Sequence, residues 1–379
     1  MLGPYQTESD RLISYKGNKV FEPVKKINKV RPSVSELEAR CKHLKQEEMW
    51  SHIARINHHI YKAANQYFDE VGALFTPLPL TTRMISSPGA VYAGNAIDYT
   101  SDTCPITLKW FDLPQVAFLS ESSQIYLEIA LMQRQVYHVY SIYNSFRKEE
   151  ADVTHLPEFH HIEYEGKVSQ SENQQIAFGL LAKIIKELLN HNEADLLFFL
   201  NSNKLYELEE LSTNINKIPV ISYAEALEIL SLETKDSKYQ VFTTSNNWGM
   251  WEEVRITEIY GKPVSVTQFP LLEVPFYHAE VAGAEPKVAE NMDLIWSGYR
   301  EILGSGHRIR SKEALEAKAK LFQLPKEDYI PYLQTREFAD YEETSGFGLG
   351  WERLVQGLLE TPYIWSTVHF PRINDTLKP

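Results

Sequence analysis

The longest periodic stretch of apolar residues in this chain begins near residue 35 and continues to residue 67. Its apolar side chains share the three-to-four-residue spacing of an amphipathic helix. They are Ile53, Ile56, Ile60, Ala63 and Ala64. Ser35 followed by Glu38 has the spacing of a capping box, which would satisfy backbone donors at the start of such a helix. The pattern therefore predicts a helix over 35–67 that buries one face.

Shorter patterns of both kinds fill the rest of the chain. The predicted strands lie at 115–119, 136–143, 159–165, 264–269 and 273–280. The predicted helices lie at 124–132, 174–190, 224–232 and 314–321. A mixture of largely antiparallel strands flanked by helices predicts an α+β fold.

The first 34 residues follow a different pattern from the rest. They are polar, contain Pro4, Pro23 and Pro32, and show little periodicity, which predicts an extended arm or a few short strands. We therefore divide the chain into an N-terminal arm over 1–45 and one large domain over 46–379. Within that domain, the charged and asparagine-rich residues 190–245 are interpreted as a helical insertion or a segment without an assigned role.

Composition limits the class of protein. A chain of 379 residues that is 43% hydrophobic and 23% charged is typical of a soluble globular protein. No apolar run reaches about 18 residues, and the N-terminus lacks the pattern of a secretory signal. Two cysteines cannot build a disulfide framework, so a cytoplasmic location is expected. The net charge of −13 disfavours a broad nucleic-acid-binding surface.

The residues 345–354, S-G-F-G-L-G-W-E-R-L, carry the first chemical pattern. Gly346, Gly348 and Gly350 stand at alternate positions and lead into an apolar, helix-like run. Glycine at every second position removes the side chains from one face of a strand, so a flat ligand can lie against the backbone. Arg353, near the start of the following helix, suits a phosphate. An ordinary glycine-rich turn has the same pattern, so a further motif in the sequence is needed to distinguish a ligand-binding strand from such a turn.

That context is a second pattern upstream, F-R-K-E at 146–149 followed by H-L-P-E-F at 155–159. Together the two patterns resemble motifs 2 and 3 of the class II aminoacyl-tRNA synthetases, in particular the aspartyl and asparaginyl group. The resemblance runs from about residue 45 to residue 379. Further matching pieces lie at 122–128, 248–249, 275–277, 301–308 and 369–372. Their common order makes the resemblance specific.

The resemblance implies a class II synthetase-like catalytic domain with a mostly antiparallel sheet. Pro77 matches the proline of motif 1, whose helix and strand build the dimer interface in the family, so a homodimer is implied. Aspartyl and asparaginyl synthetases also carry an N-terminal anticodon-binding barrel of about a hundred residues. Only about 45 residues precede the catalytic core here, which are too few for such a barrel.

The resemblance also implies an adenylation reaction, in which ATP and Mg²⁺ activate a carboxylate. By this resemblance, the residues for ATP are Arg147, Glu149, His155, Phe159, Gly350 and Arg353. Arg147 would bridge the α-phosphate and the substrate carboxylate, and Arg353 would face the γ-phosphate, so these two are the catalytic candidates. Phe159 would stack on the adenine, Glu149 would contact its amino-group side, and His155 would reach the γ-phosphate. A surface salt bridge or a core aromatic ring is the alternative for each residue taken singly.

Five more residues match the metal and amino-acid positions of the family. Asp293 and Glu301 match the metal ligands, and carboxylate oxygens are the ligands that Mg²⁺ prefers. Arg308 matches the arginine that holds the side-chain oxygen of the amino acid, and a guanidinium suits a carboxylate or a carboxamide. Ser122 and Gln124 match residues around the substrate amino group.

Several positions depart from the family pattern. Leu127 stands where the aspartate enzymes have a lysine, and Glu128 follows it as in the asparagine enzymes, which favours asparagine or an amide-like analogue. The motif 2 loop is acidic, and Thr154 replaces an arginine, so contact with a tRNA acceptor end is disfavoured. The loop at 86–90 lacks the usual acidic residue. Before motif 3, only Arg336 matches one arginine of a family pair.

The resulting hypothesis is an ATP-dependent ligase of asparaginyl-tRNA synthetase type. It would form an aminoacyl-adenylate from an asparagine- or aspartate-like amino acid and transfer the acyl group to a non-standard acceptor. One alternative is an asparagine synthetase, in which ammonia attacks an aspartyl-adenylate. A second alternative is asparaginyl-tRNA aminoacylation without the anticodon module, and a third is a regulator that binds an amino acid or nucleotide without chemistry. No membrane partner is expected.

Overall fold

The computed structural model of the protein describes residues 3–8, 11–15, 17–21, 31–87, 91–92 and 104–378. Its strands are β1 (Tyr5–Thr7), β2 (Ile13–Tyr15), β3 (Asn18–Phe21), β4 (Leu74–Phe75), β5 (Thr81–Thr82), β6 (Thr107–Leu108), β7 (Ala117–Leu119), β8 (His138–Phe146), β9 (Glu158–Gly166), β10 (Val220–Ser222), β11 (Val264–Thr267), β12 (Asn291–Ile295), β13 (Glu301–His307) and β14 (Ser345–Gly350). Its α-helices are α1 (Val34–Glu38), α2 (Arg40–Gln46), α3 (Met49–Glu70), α4 (Gln124–Ala130), α5 (Gln170–His191), α6 (Glu193–Phe199), α7 (Ser202–Thr213), α8 (Tyr223–Thr234), α9 (Met250–Tyr260), α10 (Lys312–Leu321), α11 (Lys326–Leu333) and α12 (Trp351–Leu359).

Eight strands form the main sheet in the order β10-β11-β12-β13-β14-β9-β8-β4. Only the two outermost pairs, β10 with β11 and β4 with β8, are parallel. The five inner pairs are antiparallel, which confirms the α+β prediction. Two three-stranded sheets, β1-β2-β3 and β5-β7-β6, stand beside it. No helix in the described part of the chain is long and apolar enough to cross a membrane.

Helix α3 carries the apolar stripe that the sequence pattern predicted. Ile53, Ile56 and Ile60 are all fully buried, and the helix packs against α5. Burying an isoleucine side chain contributes roughly 1.5–3 kcal/mol relative to leaving it in water. The stripe therefore fixes the orientation of α3 against the helical layer behind the sheet.

The start of this helical region differs from the prediction. The chain forms three helices, because α1 ends at its C-cap Ala39 and Glu47 adopts an extended conformation between α2 and α3. The capping box is present two residues earlier than predicted: Ser33 caps α1 and accepts a hydrogen bond from Glu36 N. Ser35 and Glu38 lie inside α1, so the predicted pair was wrong. The same serine-to-glutamate spacing occurs at both places, and the sequence alone did not separate them.

The strand predicted at 273–280 is also wrong. Glu273 N donates to Pro270 O at 2.9 Å and His278 N donates to Pro275 O at 3.1 Å, so this segment is folded into turns. Pro275 has no N–H to give to a sheet, which explains the interruption. The other predicted strands and helices are present, with ends shifted by at most four residues.

The two segments of uncertain role are well packed where the structure describes them. The arm forms β1, β2 and β3, and Trp251 Nε1 of α9 donates to Glu8 O at 3.2 Å. Residues 191–240 contain α6, α7 and α8, together with β10 at one edge of the main sheet. The division into an arm, a catalytic domain and an insertion remains a prediction. The loop at 86–90 lies largely outside the described residues.

Candidate active site

Along the neighbouring strands β9 and β14, successive residues alternate between a face of the main sheet that borders a cavity and a face that packs into the core. On β9, Phe159, His161 and Glu163 line a cavity, whereas Ile162 and Tyr164 are fully buried in the core. On β14 the three alternate glycines line the same cavity, and Phe347 and Leu349 are buried in the hydrophobic core. Because successive residues of a strand face opposite sides of the sheet, glycine at every second position leaves the floor of the cavity without side chains along β14.

The register of the sheet arranges these positions in rows. In one row Asp293 lies opposite Gly304, Gly304 opposite Gly348, and Gly348 opposite Glu163. The next row runs through Asn291, Gly306, Gly346 and Glu165. Bare glycine backbone therefore occupies the middle of each row, and polar side chains stand at both ends.

The cavity above this floor has a volume of about 310 Å³. Every residue that the sequence assigned to a site lines it: Ser122, Gln124, Arg147, Glu149, His155, Phe159, Asp293, Glu301, Arg308, Gly350 and Arg353. These residues come from strands, loops and helices that are far apart in sequence. The structure brings them together, and their individual roles remain predictions.

One end of the cavity is rich in cationic groups. Gly350 is the N-cap of α12, and Arg353 stands in the first turn of that helix. Arg353 donates to Thr154 O at 3.2 Å and to Glu301 O at 2.9 Å. Arg147 lies with its guanidinium 5.3 Å from the centre of the Phe159 ring. A helix N-terminus and two arginines create a positive potential that suits phosphate groups.

His155 is held in one orientation at this end. Its Nδ1–H donates to Asp152 at 2.8 Å, and Arg300 Nη1 donates to its Nε2 at 2.8 Å. Burial alone would raise the pKa of Asp152, but the neighbouring His155 and the hydrogen bonds to the carboxylate hold it below its ordinary value. Arg300 was not identified from the sequence. Because it joins His155 to Glu253, it connects the cationic end to the carboxylates.

Two carboxylates meet above Gly304. A methyl group on this glycine would lie 2.8 Å from Glu301 Oε1 and 3.5 Å from Asp293 Oδ1. Burial raises the pKa of Asp293 well above its ordinary value, and the charges of Glu301 and Glu253 raise it further. Burial also raises the pKa of Glu301, although Arg353 acts in the opposite direction. A bound cation would relieve this repulsion.

The donor set fits Mg²⁺, which prefers oxygen ligands and shares its coordination with substrate phosphates. Among the described residues, no group of three or more histidine, cysteine, aspartate or glutamate side chains is arranged to hold a metal ion alone. Asp293 and Glu301 would therefore supply two ligands, and the remaining ligands would have to come from phosphate oxygens or water.

At the other end, Arg308 lines the cavity and forms a buried ion pair with Glu165, which lies behind it and does not line the cavity. Arg308 donates to Glu165 through Nε at 2.9 Å and Nη2 at 2.7 Å, and neither side chain is more than 1% exposed. Gln124 Nε2 donates to the same carboxylate and to Tyr164 O. Burial alone would lower the pKa of Arg308, but Glu165 raises it well above the ordinary value. The guanidinium therefore stays charged.

Glycine is required at position 346 of this end. A Cβ there would collide with Glu165 Oε2 and with Gln124 Nε2. Close by, Ser122 Oγ donates to Glu163 Oε1 at 2.7 Å. Burial raises the pKa of Glu163 to about 7, so a cationic group that binds beside it would favour its ionised form.

Sequence reasoning missed Glu163, which lines the cavity, and Glu165, which pairs with Arg308 behind it, and it also missed Glu253 and Arg300 in the cavity wall. The first two could have been found, because they continue the alternate positions that begin at Phe159 on a predicted strand. Glu253 and Arg300 are brought in by α9 and by a turn before β13, and no local pattern marks them.

Two residues raised in the sequence analysis lie elsewhere: Leu127, for the choice of amino acid, and Arg336, as one arginine of a family pair. Leu127 is fully buried in an apolar cluster with Leu131 and Val139, and it does not line the cavity. Arg336 pairs with Glu128 at 2.5 Å, and neither residue of that pair lines the cavity. The effect of these positions on a substrate would therefore pass through intervening groups.

The fold and the cavity define a ligase with a class II synthetase catalytic domain. A family model described as tRNA synthetases class II (D, K and N) matches residues 33–374. The chain belongs to this family.

Individual relatives agree with this assignment. The chain is 30% identical over 331 residues to an asparagine–tRNA ligase of Koribacter versatilis, which covers 86% of this chain and 70% of the relative. The crystal structure of asparaginyl-tRNA synthetase from Pyrococcus horikoshii, complexed with asparaginyl-adenylate, superposes with a TM-score of 0.75 at 26% identity, covering 97% of this chain and 78% of that one. The Entamoeba histolytica asparaginyl-tRNA synthetase has a TM-score of 0.77 at 22% identity, covering 97% and 77% of the two chains, and supports the fold.

Proposed function

We propose that this protein uses ATP to activate asparagine, forming asparaginyl-adenylate and releasing pyrophosphate. The observation that carries this proposal is the Arg308–Glu165 pair at the buried end of the cavity. Its members are a hydrogen-bond donor and an acceptor, and their charges cancel. A carboxamide side chain carries a carbonyl oxygen that accepts and an NH₂ group that donates, so it matches both members.

A carboxylate side chain fits the same pair poorly. It would bring a negative charge close to Glu165, and Arg308, which contacts both groups, is already paired with the Glu165 carboxylate. The similarity to asparaginyl-tRNA synthetases supports the same substrate. Asparagine is therefore favoured over aspartate, which a synthetase-derived asparagine synthetase would require.

The activation step needs positioning and charge neutralisation rather than a protein nucleophile. A carboxylate oxygen of the amino acid attacks the α-phosphorus of ATP, the bond to the bridging oxygen of the β-phosphate breaks, and pyrophosphate leaves. Arg147 would hold the α-phosphate and the attacking carboxylate together. Arg353 would neutralise charge on the γ-phosphate. Asp293 and Glu301 would hold Mg²⁺, which supplies further charge neutralisation when it is bound.

Glu163 gives the substrate amino group a binding partner. Its carboxyl group lies beside Ser122 and lines the cavity between the two ends. An ammonium group there would form a charge-assisted hydrogen bond with the ionised carboxylate. This arrangement would turn the α-carboxylate of asparagine toward Arg147.

The proposed acyl acceptor is a molecule other than a standard tRNA. The loop between β8 and β9 carries three carboxylates, Glu149, Glu150 and Asp152, against the cations Arg147 and Lys148, and the whole chain has a net charge of −13. Acidic groups beside the cavity disfavour a polyanion. The family supports aminoacylation of tRNA as the second candidate, and a direct assay distinguishes the two.

A homodimer formed through the region near Pro77 is also proposed. Leu74 and Phe75 form β4, an outer strand of the main sheet, and each is 55% exposed. Tyr137, which precedes β8, is 54% exposed. Exposed apolar side chains at a sheet edge are typical of a surface that is covered by a partner.

The test of the activation step is ATP–pyrophosphate exchange with Mg²⁺ against the twenty amino acids. Exchange with asparagine, and much weaker exchange with aspartate, is the expected result. Exchange with aspartate followed by release of asparagine when ammonia is added would support an asparagine synthetase instead. No exchange with any amino acid, despite measurable ATP binding, would refute the proposed activation.

The acceptor is tested separately with purified enzyme, labelled asparagine and total tRNA on filters. Retention of label that depends on ATP and is removed by ribonuclease would establish tRNA charging and refute the non-standard acceptor. Exchange activity without retained label is the expected result.

A further inference from the structure

His278 stands in the wall of the cavity beside Arg308 and has no part in the mechanism above. Its side chain lines the cavity and the residue is only 7% exposed. Its Nδ1 is buried and has no hydrogen-bond partner among the described residues. An apolar side chain would fill the same space without leaving a polar atom unsatisfied. The imidazole therefore calls for an explanation beyond packing.

The backbone holds this histidine in place from two sides. Ala279 N donates to His307 O at 2.8 Å, and Ile309 N donates to Tyr277 O at 2.9 Å, so the segment runs alongside the end of β13. Lys318 Nζ donates to His278 O at 3.0 Å. A side chain on such a fixed backbone is positioned rather than mobile, as a ligand-binding group requires.

The imidazole rests on Gly306, in the row of the sheet that contains Gly346 and Glu165. A Cβ at position 306 would lie 2.7–2.9 Å from three atoms of the ring. Any other residue at Gly306 would therefore displace the ring. The absence of a side chain there lets His278 approach the floor at the end of the cavity that holds the Arg308–Glu165 pair.

The charges around His278 keep it neutral. Burial lowers the pKa of His278 well below its ordinary value, and the neighbouring Arg308, Lys318 and His307 side chains lower it further. A neutral imidazole has one nitrogen that donates and one that accepts. It can therefore bind a polar ligand group without changing the charge of this end of the cavity.

We propose that His278 is a specificity residue that hydrogen-bonds the amino-acid substrate beside the Arg308–Glu165 pair. This inference rests on the proposed activation of asparagine and adds a third polar contact at the buried end. An amino acid with an apolar side chain of similar size would leave the imidazole unpaired in the complex. His278 thus adds to the discrimination against apolar amino acids.

The first experiment compares His278→Met with the wild-type enzyme in pyrophosphate exchange. Methionine has a similar volume and no strong hydrogen-bonding group. The KM for asparagine is expected to rise tenfold or more, and the KM for ATP is expected to stay within twofold. His307→Met is the matched control, because His307 flanks Arg308 but does not line the cavity. It is expected to leave both KM values within twofold.

Conservative variants separate hydrogen bonding from packing. The amide of asparagine stands near the place of imidazole Nδ1, and that of glutamine near the place of Nε2. At least one of His278→Asn and His278→Gln is therefore expected to restore the KM for asparagine to within threefold of the wild-type value. If neither variant differs from His278→Met, the hydrogen bond is refuted.

A double-mutant cycle tests the packing of His278 on Gly306. Gly306→Ala is expected to raise the KM for asparagine at least fivefold in the wild-type background. It should have less than a twofold effect in a His278→Ala background, where the added methyl group has room. Equal effects in both backgrounds would overturn the inference.

The two proposals fail in different ways. A wild-type enzyme without asparagine-dependent exchange would refute the proposed function itself. A wild-type enzyme that exchanges normally, together with His278 variants that leave the KM for asparagine unchanged, would refute only the role of His278.

Discussion

Replacing Glu165 by glutamine tests how the buried end of the cavity selects its substrate. The substitution keeps the shape of the side chain and one acceptor oxygen, but it removes the negative charge that Arg308 contacts at 2.7 Å. Arg308 then becomes an uncompensated cation in the cavity wall. Aspartate should gain affinity relative to asparagine, because its side-chain carboxylate would replace the lost charge.

The expected size of this change follows from Coulomb's law. A ligand group that hydrogen-bonds to Arg308 lies roughly 5 Å from the carboxylate of Glu165. At an effective dielectric constant of about 20, two unit charges at that distance interact by about 3 kcal/mol. The ratio of kcat/KM for asparagine to that for aspartate should therefore fall about one hundredfold in Glu165→Gln. The free energy of unfolding should also fall by about 3 kcal/mol, because one partner of a buried ion pair is lost.

The assay is pyrophosphate exchange with each amino acid, together with chemical unfolding of the same samples. Glu128→Gln is the matched control, since Glu128 forms a second buried ion pair with Arg336, and Arg336 does not line the cavity whereas Arg308 does. It should lose comparable stability and keep the wild-type selectivity. An unchanged selectivity ratio in Glu165→Gln, or an equal change in Glu128→Gln, would refute the assignment of Glu165 to substrate selection.

Four further predictions follow from the geometry of the site and of the sheet edge. Gly346→Ala should destabilise the protein by about 2 kcal/mol and raise the KM for asparagine, as measured by unfolding and by exchange kinetics. Glu163 has a folded pKa of about 7, raised by burial. Its contribution to stability is complete below its unfolded pKa and is lost as the pH rises through about 7, so Glu163→Gln should be about 3 kcal/mol more stabilising at pH 8 than at pH 4. Asp293→Asn should raise the melting temperature of the metal-free protein, because it removes a repelled buried charge, and should raise the Mg²⁺ concentration needed for half-maximal exchange. Phe75→Asp should shift the protein toward monomer in sedimentation equilibrium.

Controls exist for two of these predictions. A Cβ at Gly348 would lie 3.4 Å from Glu163 Oε1, an ordinary contact, so Gly348→Ala should be tolerated better than Gly346→Ala. Tyr206 on α7 is 63% exposed, and Tyr206→Asp should not change the association state.

If Asp293→Asn leaves the Mg²⁺ requirement unchanged, or if the two pH values give equal effects for Glu163→Gln, the corresponding argument is wrong.

The sequence by itself determined which face of a helix or strand points inward, where the residues of that face recur at a regular spacing along the element. The apolar stripe of α3 is buried as its helical spacing predicts, and the alternate glycines of β14 line the cavity as their period of two predicts. The motif residues also identified the chain with its family before any distance was known. These successes share a cause, because each depends on residues that are neighbours on one helix or one strand.

Only the tertiary structure decided which side chains meet. Glu165 and Arg308 are 143 residues apart in the chain and form one ion pair because β9 and β13 both flank β14. His278 faces Gly306 because a turn after Pro275 carries it past the end of β13, where the sequence had predicted a strand. Contacts of this kind depend on sheet order and register, and local spacing along the chain contains no information about either.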